Sequence, residues 1–191
     1  MAEPALEQKI TYAEYLEQEE KAFEKHEYVH GVIYAMSGGT SDHGRIAASM
    51  IIQLGTALRG RPCNVYSSDV RIRIVETDMA TYPDTSVVCG KLEHAVDDRH
   101  GVVNPLLIVE VLSDSTEAYD RGAKAAHYRR IPSLKEYVLV NQKSQKIEVY
   151  RRFEHNRWEF SEYGPGEQAV ILETNLSVDA VYYDAMALPN S

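Results

Sequence analysis

The sequence predicts a mixed α/β domain with a central mixed sheet flanked by helices, and three observations carry that prediction. Leu106–Leu112 is almost wholly apolar, the pattern of a central strand buried on both faces. Ser41–Arg59 places Ala47, Met50, Ile51, Leu54 and Leu58 at helical spacing. Asp114–Arg130 reads as a second helix, with Asp114 as its N-cap, Glu117 three residues on and Pro132 just past its end.

The remaining elements follow in chain order. Tyr12–Lys25 is rich in Glu, Ala, Leu and Lys, and Thr11 with Glu14 forms a capping box before it. Glu27–Met36 reads as a β-hairpin turning near His30-Gly31, and residues 37–40 as a loop. Val65–Val75 alternates Val70, Ile72 and Ile74 with Arg71 and Arg73, a strand with one wet face. Thr85–Cys89 is a short β run after Pro83-Asp84, and Glu136–Asn141 is a second buried strand. Lys146–Arg152 and Trp158–Tyr163 form an antiparallel pair, and Val178–Ala187 a short helix. The core order is helix-strand-strand-strand-helix-strand, with extra strands at both ends and a helical crossover joining two strands. One domain spans residues 1–191, with residues 1–10 and 186–191 as flexible ends.

Composition narrows the function. The 191 residues are 44% hydrophobic and 26% charged, and eleven Gly and seven Pro exclude a collagen-like or low-complexity chain. No stretch approaches the roughly 18 apolar residues of a membrane span, and no basic-then-apolar leader opens the chain. Cys63 and Cys89 are too few for a disulfide framework. They read as small buried apolar groups in a protein of the reducing cytoplasm. The net charge of −9 argues against non-specific binding to nucleic acid. Its distribution softens that argument: residues 1–28 carry −5, residues 158–191 carry −6, and the middle carries +2.

Chemistry concentrates where a charge interrupts an apolar strand. Glu110 lies inside Leu106–Leu112, and a buried carboxylate is costly unless paired or bound to a cation. Asp84 begins the preceding strand, so neighbouring strand ends can bring the two acids together as hard oxygen donors suited to Mg²⁺ or Mn²⁺. The helix that follows supplies Lys124, with Asp120 one turn earlier and His127 three residues later.

Pro83-Asp84, then Ile108-Val109-Glu110-Val111-Leu112, then a helix, resembles the PD-(D/E)xK nuclease superfamily. The run from Asn104 through Ser113, Tyr119-Asp120-Arg121-Gly122, Lys124 and Tyr128–Tyr137 is similar to the Uma-type family of restriction endonucleases. Glu27–Gly31 and Tyr66–Val70 share that likeness, which covers about residues 11–185. The resemblance implies a restriction-endonuclease-like core. It also implies a Mg-dependent endonuclease that hydrolyses DNA, with Asp84 and Glu110 as metal ligands and the Val111 carbonyl as a further one. Leu112 stands where the superfamily pattern has a lysine, so the resemblance moves the lysine role to Lys124. Glu27, His43 and Asp69 are candidate supporting residues. Symmetric cutting of two strands implies a homodimer.

Each reading has an ordinary counterpart. Asp84 could close a turn, and Glu110 could pair with an interior Arg. Asp120 and Lys124 could form a surface ion pair, and His43 could be a cap-region or surface residue. Asp69 could mark a bulge. His26, His30, His94, His100 and His155 show no ligand spacing. Lys143, Lys146, Arg151, Arg152 and Arg157 form either a solvated hairpin face or a phosphate-binding rim. The acidic total and Leu112 motivate an alternative function, a non-catalytic interaction protein that retains the nuclease fold. A third reading is metal-dependent hydrolysis of another phosphodiester.

Overall fold

The computed structural model describes residues 9–36, 38–154 and 157–184. The expectations for residues 1–8, for His155 and for residues 186–191 lie outside the described residues. At the other end of the first segment, the Ile10 amide donates to the Gly31 carbonyl at 3.0 Å.

Helix α1 (Tyr12–Glu19) starts on the expected capping box, with Thr11 and Glu14 bonded reciprocally. It ends six residues earlier than the composition suggested. Strands β1 (His26–Val29) and β2 (Val32–Ala35) form the hairpin. Its two turn residues, His30 and Gly31, have φ of 50° and 91°, as a tight two-residue hairpin loop requires. A side chain at Gly31 would also meet Lys9, with a Cβ–Cβ distance of 2.8 Å. Helix α2 (Ser41–Ala57) is capped by the Thr40 hydroxyl and buries Ile46, Met50 and Leu54.

The central sheet has the order β12-β11-β10-β9-β6-β3. Its strands are β3 (Cys63–Ser67), β6 (Thr85–Cys89), β9 (Leu107–Leu112), β10 (Glu136–Asn141), β11 (Ile147–Arg152) and β12 (Trp158–Tyr163). Only β9 and β10 pair in parallel. Between them the chain crosses over through a helical run: α3 (Glu117–Tyr119), a π-helical turn (Asp120–Lys124) and α4 (Ala125–Tyr128). Asp114 does not cap this run. Thr116 occupies that place, and the Asp114 carboxylate pairs with Lys143 at 2.6 Å instead.

A second six-stranded sheet, unforeseen from the residues, has the order β2-β1-β5-β4-β8-β7. It adds β4 (Ile72–Ile74), β5 (Met79–Thr81), β7 (His94–Ala95) and β8 (Asp98–Val102). The predicted strand over 65–75 is two strands belonging to different sheets, and its face is not wet. Arg71 and Arg73 are buried: Arg71 holds Asp98 through Nε and Nη2 at 2.8 and 2.9 Å, while Arg73 pairs with Asp78 and Asp97. Arg71 is paired inside with Asp98, and Arg73 reaches out to two half-exposed carboxylates, so alternation of charge did not mean exposure.

Strand alternation divides the core. On one face of the central sheet, Leu107, Val109 and Val111 pack with Ile46, Met50 and Leu54 of α2. That face is completed by β13 (Gln168–Ile171), β14 (Thr174–Ser177) and α5 (Val178–Tyr182). On the other face, Ile108 and Leu112 pack with Tyr128, Tyr137 and residues of the second sheet. Glu110 points to this second face.

Cys63 and Cys89 face each other across β3 and β6 and are joined by a disulfide. This corrects the reading of two separate apolar groups, and cysteine usage no longer argues for a reducing compartment. No described helix is long and apolar enough to cross a membrane.

The buried Arg71–Asp98 pair makes a stability prediction. Burial alone would raise the Asp98 carboxyl, but Arg71, the Tyr12 hydroxyl and the His100 amide outweigh it and hold it at about 2. A depressed carboxyl stabilises the fold fully above its ordinary value of 3.8, and that stabilisation is lost as pH falls through about 2. The loss amounts to about 2 kcal/mol. Urea unfolding between pH 7 and pH 2 should show it. Asp98→Asn should be about 3–5 kcal/mol less stable at pH 7 and have a flatter acid limb; an unchanged limb would remove Asp98 as its source.

Candidate functional site at the end of the central strand

The site forms at the C-terminal end of β9, beside the parallel pair where the chain crosses over. Such ends of open sheets are common positions for ligand sites. Antiparallel pairing of β6 with β9 sets Thr85 against Val109, which brings Asp84 beside Glu110 and Val111. The Asp84 amide donates to Glu110 Oε2 at 3.4 Å, and the Val111 amide donates to Asp84 Oδ2 at 2.8 Å. The two acids are thus brought together as expected.

Lys124 reaches them from the helical run. Its Nζ lies 2.9 Å from Glu27 Oε1, 3.0 Å from Glu110 Oε1 and 3.5 Å from Asp120 Oδ1. Lys124 and Asp120 are 5% and 3% exposed, so theirs is an interior pair and not the surface pair that helical spacing alone suggests. The π-helical turn runs from Asp120 to Lys124, and such turns frequently mark functional positions in helices. Tyr128, one α-helical turn later, donates its hydroxyl to Glu110 Oε1 at 2.6 Å.

Glu27 enters from β1 of the second sheet. Thr81 Oγ1 donates to its Oε1 at 2.5 Å and the Tyr119 hydroxyl to its Oε2 at 3.1 Å. His43, in the first turn of α2, approaches from the opposite face, with Nε2 3.2 Å from Asp84 Oδ2. Asp69 is not part of this cluster. Its carboxylate is 81% exposed and pairs with Lys25 at 2.6 Å.

Two groups escaped sequence reasoning as site members. Tyr128 had a signal, four residues after Lys124, but an apolar-looking Tyr in a helix reads first as packing. Asp120 was visible only as the partner of a surface lysine. The suggested phosphate rim fares differently. Lys143, Lys146 and Arg151 pair with Asp114, Glu148 and Glu136, and Arg152 donates to backbone carbonyls of Arg129, Ile131 and Pro132.

Charge in the cluster is unbalanced. Three carboxylates (Glu27, Glu110 and Asp120) meet one lysine, and a fourth, Asp84, lies beside Glu110 with His43 at the edge. Burial pushes the Glu110 carboxyl up to about 8; Lys124 opposes the rise, and Asp84 and Asp120 add to it. Burial works against the Lys124 charge, yet Glu110, Glu27 and Asp120 hold its pKa well above that of ordinary lysine. Burial also raises Asp120, whose Oδ1 is buried without a hydrogen-bond partner. His43 is raised chiefly by its bond to Asp84.

This donor set fits a hard divalent cation. Glu110 Oε1 is taken by Tyr128 and Lys124, whereas Oε2 has only the long contact to the Asp84 amide. Asp84 Oδ2, already bonded to Val111 and His43, belongs to a carboxylate that lines an open cleft. Among the described residues no three His, Cys, Asp or Glu side chains form a ready metal cage. Two carboxylates with water and phosphate completing the shell is a mode that suits Mg²⁺.

Two clefts reach the cluster. One, of about 700 Å³, lies along α2 and exposes Asp84 and His43. The other, of about 570 Å³, lies between the β1–β2 hairpin and the helical run, with Glu27, Asp120 and Lys124 among its lining residues. Met36 lines both.

Comparison with known proteins places these features in context. Residues 12–181 match the Uma2 family model, described as "Putative restriction endonuclease". Uncharacterized protein slr1290 of Synechocystis sp. (strain ATCC 27184) is 38% identical over 176 residues, covering 91% of this chain and 92% of that protein. Uncharacterized protein sll1609 of the same organism is 35% identical over 162 residues, covering 85% and 91%. A crystal structure from Anabaena variabilis ATCC 29413, titled as a "putative nuclease belonging to DUF820", superposes with a TM-score of 0.72 at 19% identity, covering 91% of this chain and 97% of that one.

The raised Glu110 carboxyl predicts a pH effect on stability. An acid whose folded pKa is raised stabilises the fold below its ordinary value of 4.5, and that contribution is lost as pH rises through about 8. Wild-type stability measured by urea unfolding should therefore decline across that interval, and Glu110→Gln should lessen the decline. An identical decline in the variant would assign it to another group.

Proposed function

The chain belongs to the Uma2 family, and from that premise we propose that it is a metal-dependent nuclease that hydrolyses phosphodiester bonds of DNA. The observation that carries this reading is the meeting of Asp84 and Glu110 at the Val111 backbone, with the Lys124 amine 3.0 Å from Glu110. Interior ion clusters add little net stability over an apolar core, so acids gathered from distant parts of the chain at one buried ammonium, beside open clefts, support a chemical role.

On this reading Asp84 and Glu110, with the Val111 carbonyl, would hold Mg²⁺ or Mn²⁺. When bound, such an ion polarises a phosphoryl oxygen and lowers the pKa of bound water. The chain's own residues supply position and charge. The Val111 amide and His43 fix the Asp84 carboxylate, and Tyr128 and Lys124 fix one oxygen of Glu110, leaving the other for the cation. Lys124 keeps a positive charge in a region of low dielectric, where it would stabilise charge developing on the phosphate or orient the attacking water. A homodimer would set two such sites against two strands.

Calorimetric titration with Mn²⁺ and a cleavage panel with Mg²⁺ or Mn²⁺ test the proposal together. Asp84→Ala and Glu110→Ala should each lower cleavage by at least about 100-fold, the scale of losing one preorganised electrostatic group, and should abolish the heat of Mn²⁺ binding. Lys124→Met should lower cleavage while keeping measurable Mn²⁺ binding. If no DNA is cut and no heat is released, the chain is better described as an interaction protein on a nuclease fold.

A further inference from the structure

The cleft between the β1–β2 hairpin and the helical run holds more than the proposed chemistry uses. Building on the nuclease reading above, we propose that this cleft receives the base of an unpaired nucleotide whose phosphate meets Asp84. The substrate is then DNA with a base free to leave the stack, rather than an intact duplex.

Shape and lining support this. A volume of about 570 Å³ lies within the range of small-molecule sites and leaves room for a nucleoside. One wall carries Tyr34, whose side chain is half exposed on β2, and the other carries Tyr119. Ala35 and Ala123, both small, also line the cleft. Aromatic faces bind bases by stacking, whatever the base.

The polar groups are placed for a base edge. Thr116 and His127 line the cleft, and His127 Nδ1 is buried without a hydrogen-bond partner. Asp120 also lines it, but its Oδ1 already faces the Lys124 amine at 3.5 Å, so His127 is the group with an open position. Buried polar atoms left unpaired cost free energy that a ligand's donors and acceptors can recover.

Position ties the cleft to the scissile site. Lys124, which lines this cleft, connects to Asp84 through Glu110, by contacts of 3.0 and 3.4 Å. Met36 lines both clefts, so they adjoin at this residue, and the proposal places the base in one and the phosphate in the other.

Charge argues against a duplex gripped by its phosphates. Lys25 is paired with Asp69, Lys143 with Asp114, and Arg121 with Glu117 and Glu148. The whole chain carries −9. The lysines that line the two clefts, Lys25 and Lys124, are both paired, so phosphate neutralisation there is limited, and stacking of an uncharged ring is a contact that does not draw on charge. Extruding a base from a duplex carries an unstacking cost that an unpaired base avoids.

The full-length chain is tested with Mn²⁺ on DNA of one sequence in four forms: fully paired, single-stranded, carrying one extrahelical nucleotide, and carrying an abasic residue at that position. Cleavage of the single-stranded and extrahelical forms should exceed that of the paired form by at least about tenfold, the scale of one stacked base. The abasic form should lose that advantage. Binding is read separately, without divalent ion, from quenching of 2-aminopurine at the extrahelical position. Tyr34→Ala and Ala123→Trp should both weaken the quenching and shrink the base-to-abasic cleavage ratio about tenfold, with thermal unfolding verifying that each variant is folded. Equal cleavage of paired and unpaired DNA, or quenching indifferent to both variants, would overturn the cleft assignment while leaving the nuclease reading in place. Quenching that depends on Tyr34 without cleavage of any form would support the cleft and defeat the nuclease reading.

Discussion

The buried ammonium of Lys124 is the interaction on which the site depends. Three carboxylates from three elements meet it: Glu27 from the second sheet, Glu110 from the central strand and Asp120 from the helical run. Without it, acids in one dehydrated space would repel each other and take up protons. With it, the two sheets and the crossover are locked in one arrangement, and Glu110 is presented with one oxygen engaged and one turned toward Asp84. The cluster still carries more acid than base, as the raised Glu110 carboxyl indicates. A cation or a protonated group is what such a site attracts.

Strand geometry explains why the site opens on two sides. Successive residues of β9 point to opposite faces, so Val111 lies with α2 and Glu110 with the helical run. Asp84, one residue before β6, reaches the strand end from beside it and meets His43 from the α2 face. The carboxylates therefore straddle the end of the sheet. One cleft presents Asp84, the other Lys124 and Glu27, and the hairpin with Met36 borders both.

The parallel pair β9–β10 and the turn after β9 supply the scaffold. A parallel connection needs a crossover, and here it consists of the segment that carries Asp120, Lys124 and Tyr128. The same chain reversal that completes the sheet delivers the lysine. Leu112 packs in the core, and the positive charge beside Glu110 comes from the neighbouring element.

Local signals determined much of this protein from its residues alone. Continuous apolar runs located β9 and β10, helical spacing located α2, Pro132 marked the end of the crossover, Thr11 with Glu14 marked the start of α1, and a charge inside an apolar strand exposed Glu110. These features depend on neighbours in sequence, so they were legible. Burial of Arg71 and Arg73, the division of 65–75 between two sheets and the Cys63–Cys89 bond depend on partners far along the chain, and alternation alone misread them. The same holds for Asp120 and Lys124, whose spacing describes a surface pair equally well as an interior one. Only the tertiary structure decides between those, because the second sheet covers that face of the helix and brings Glu27 to close the space.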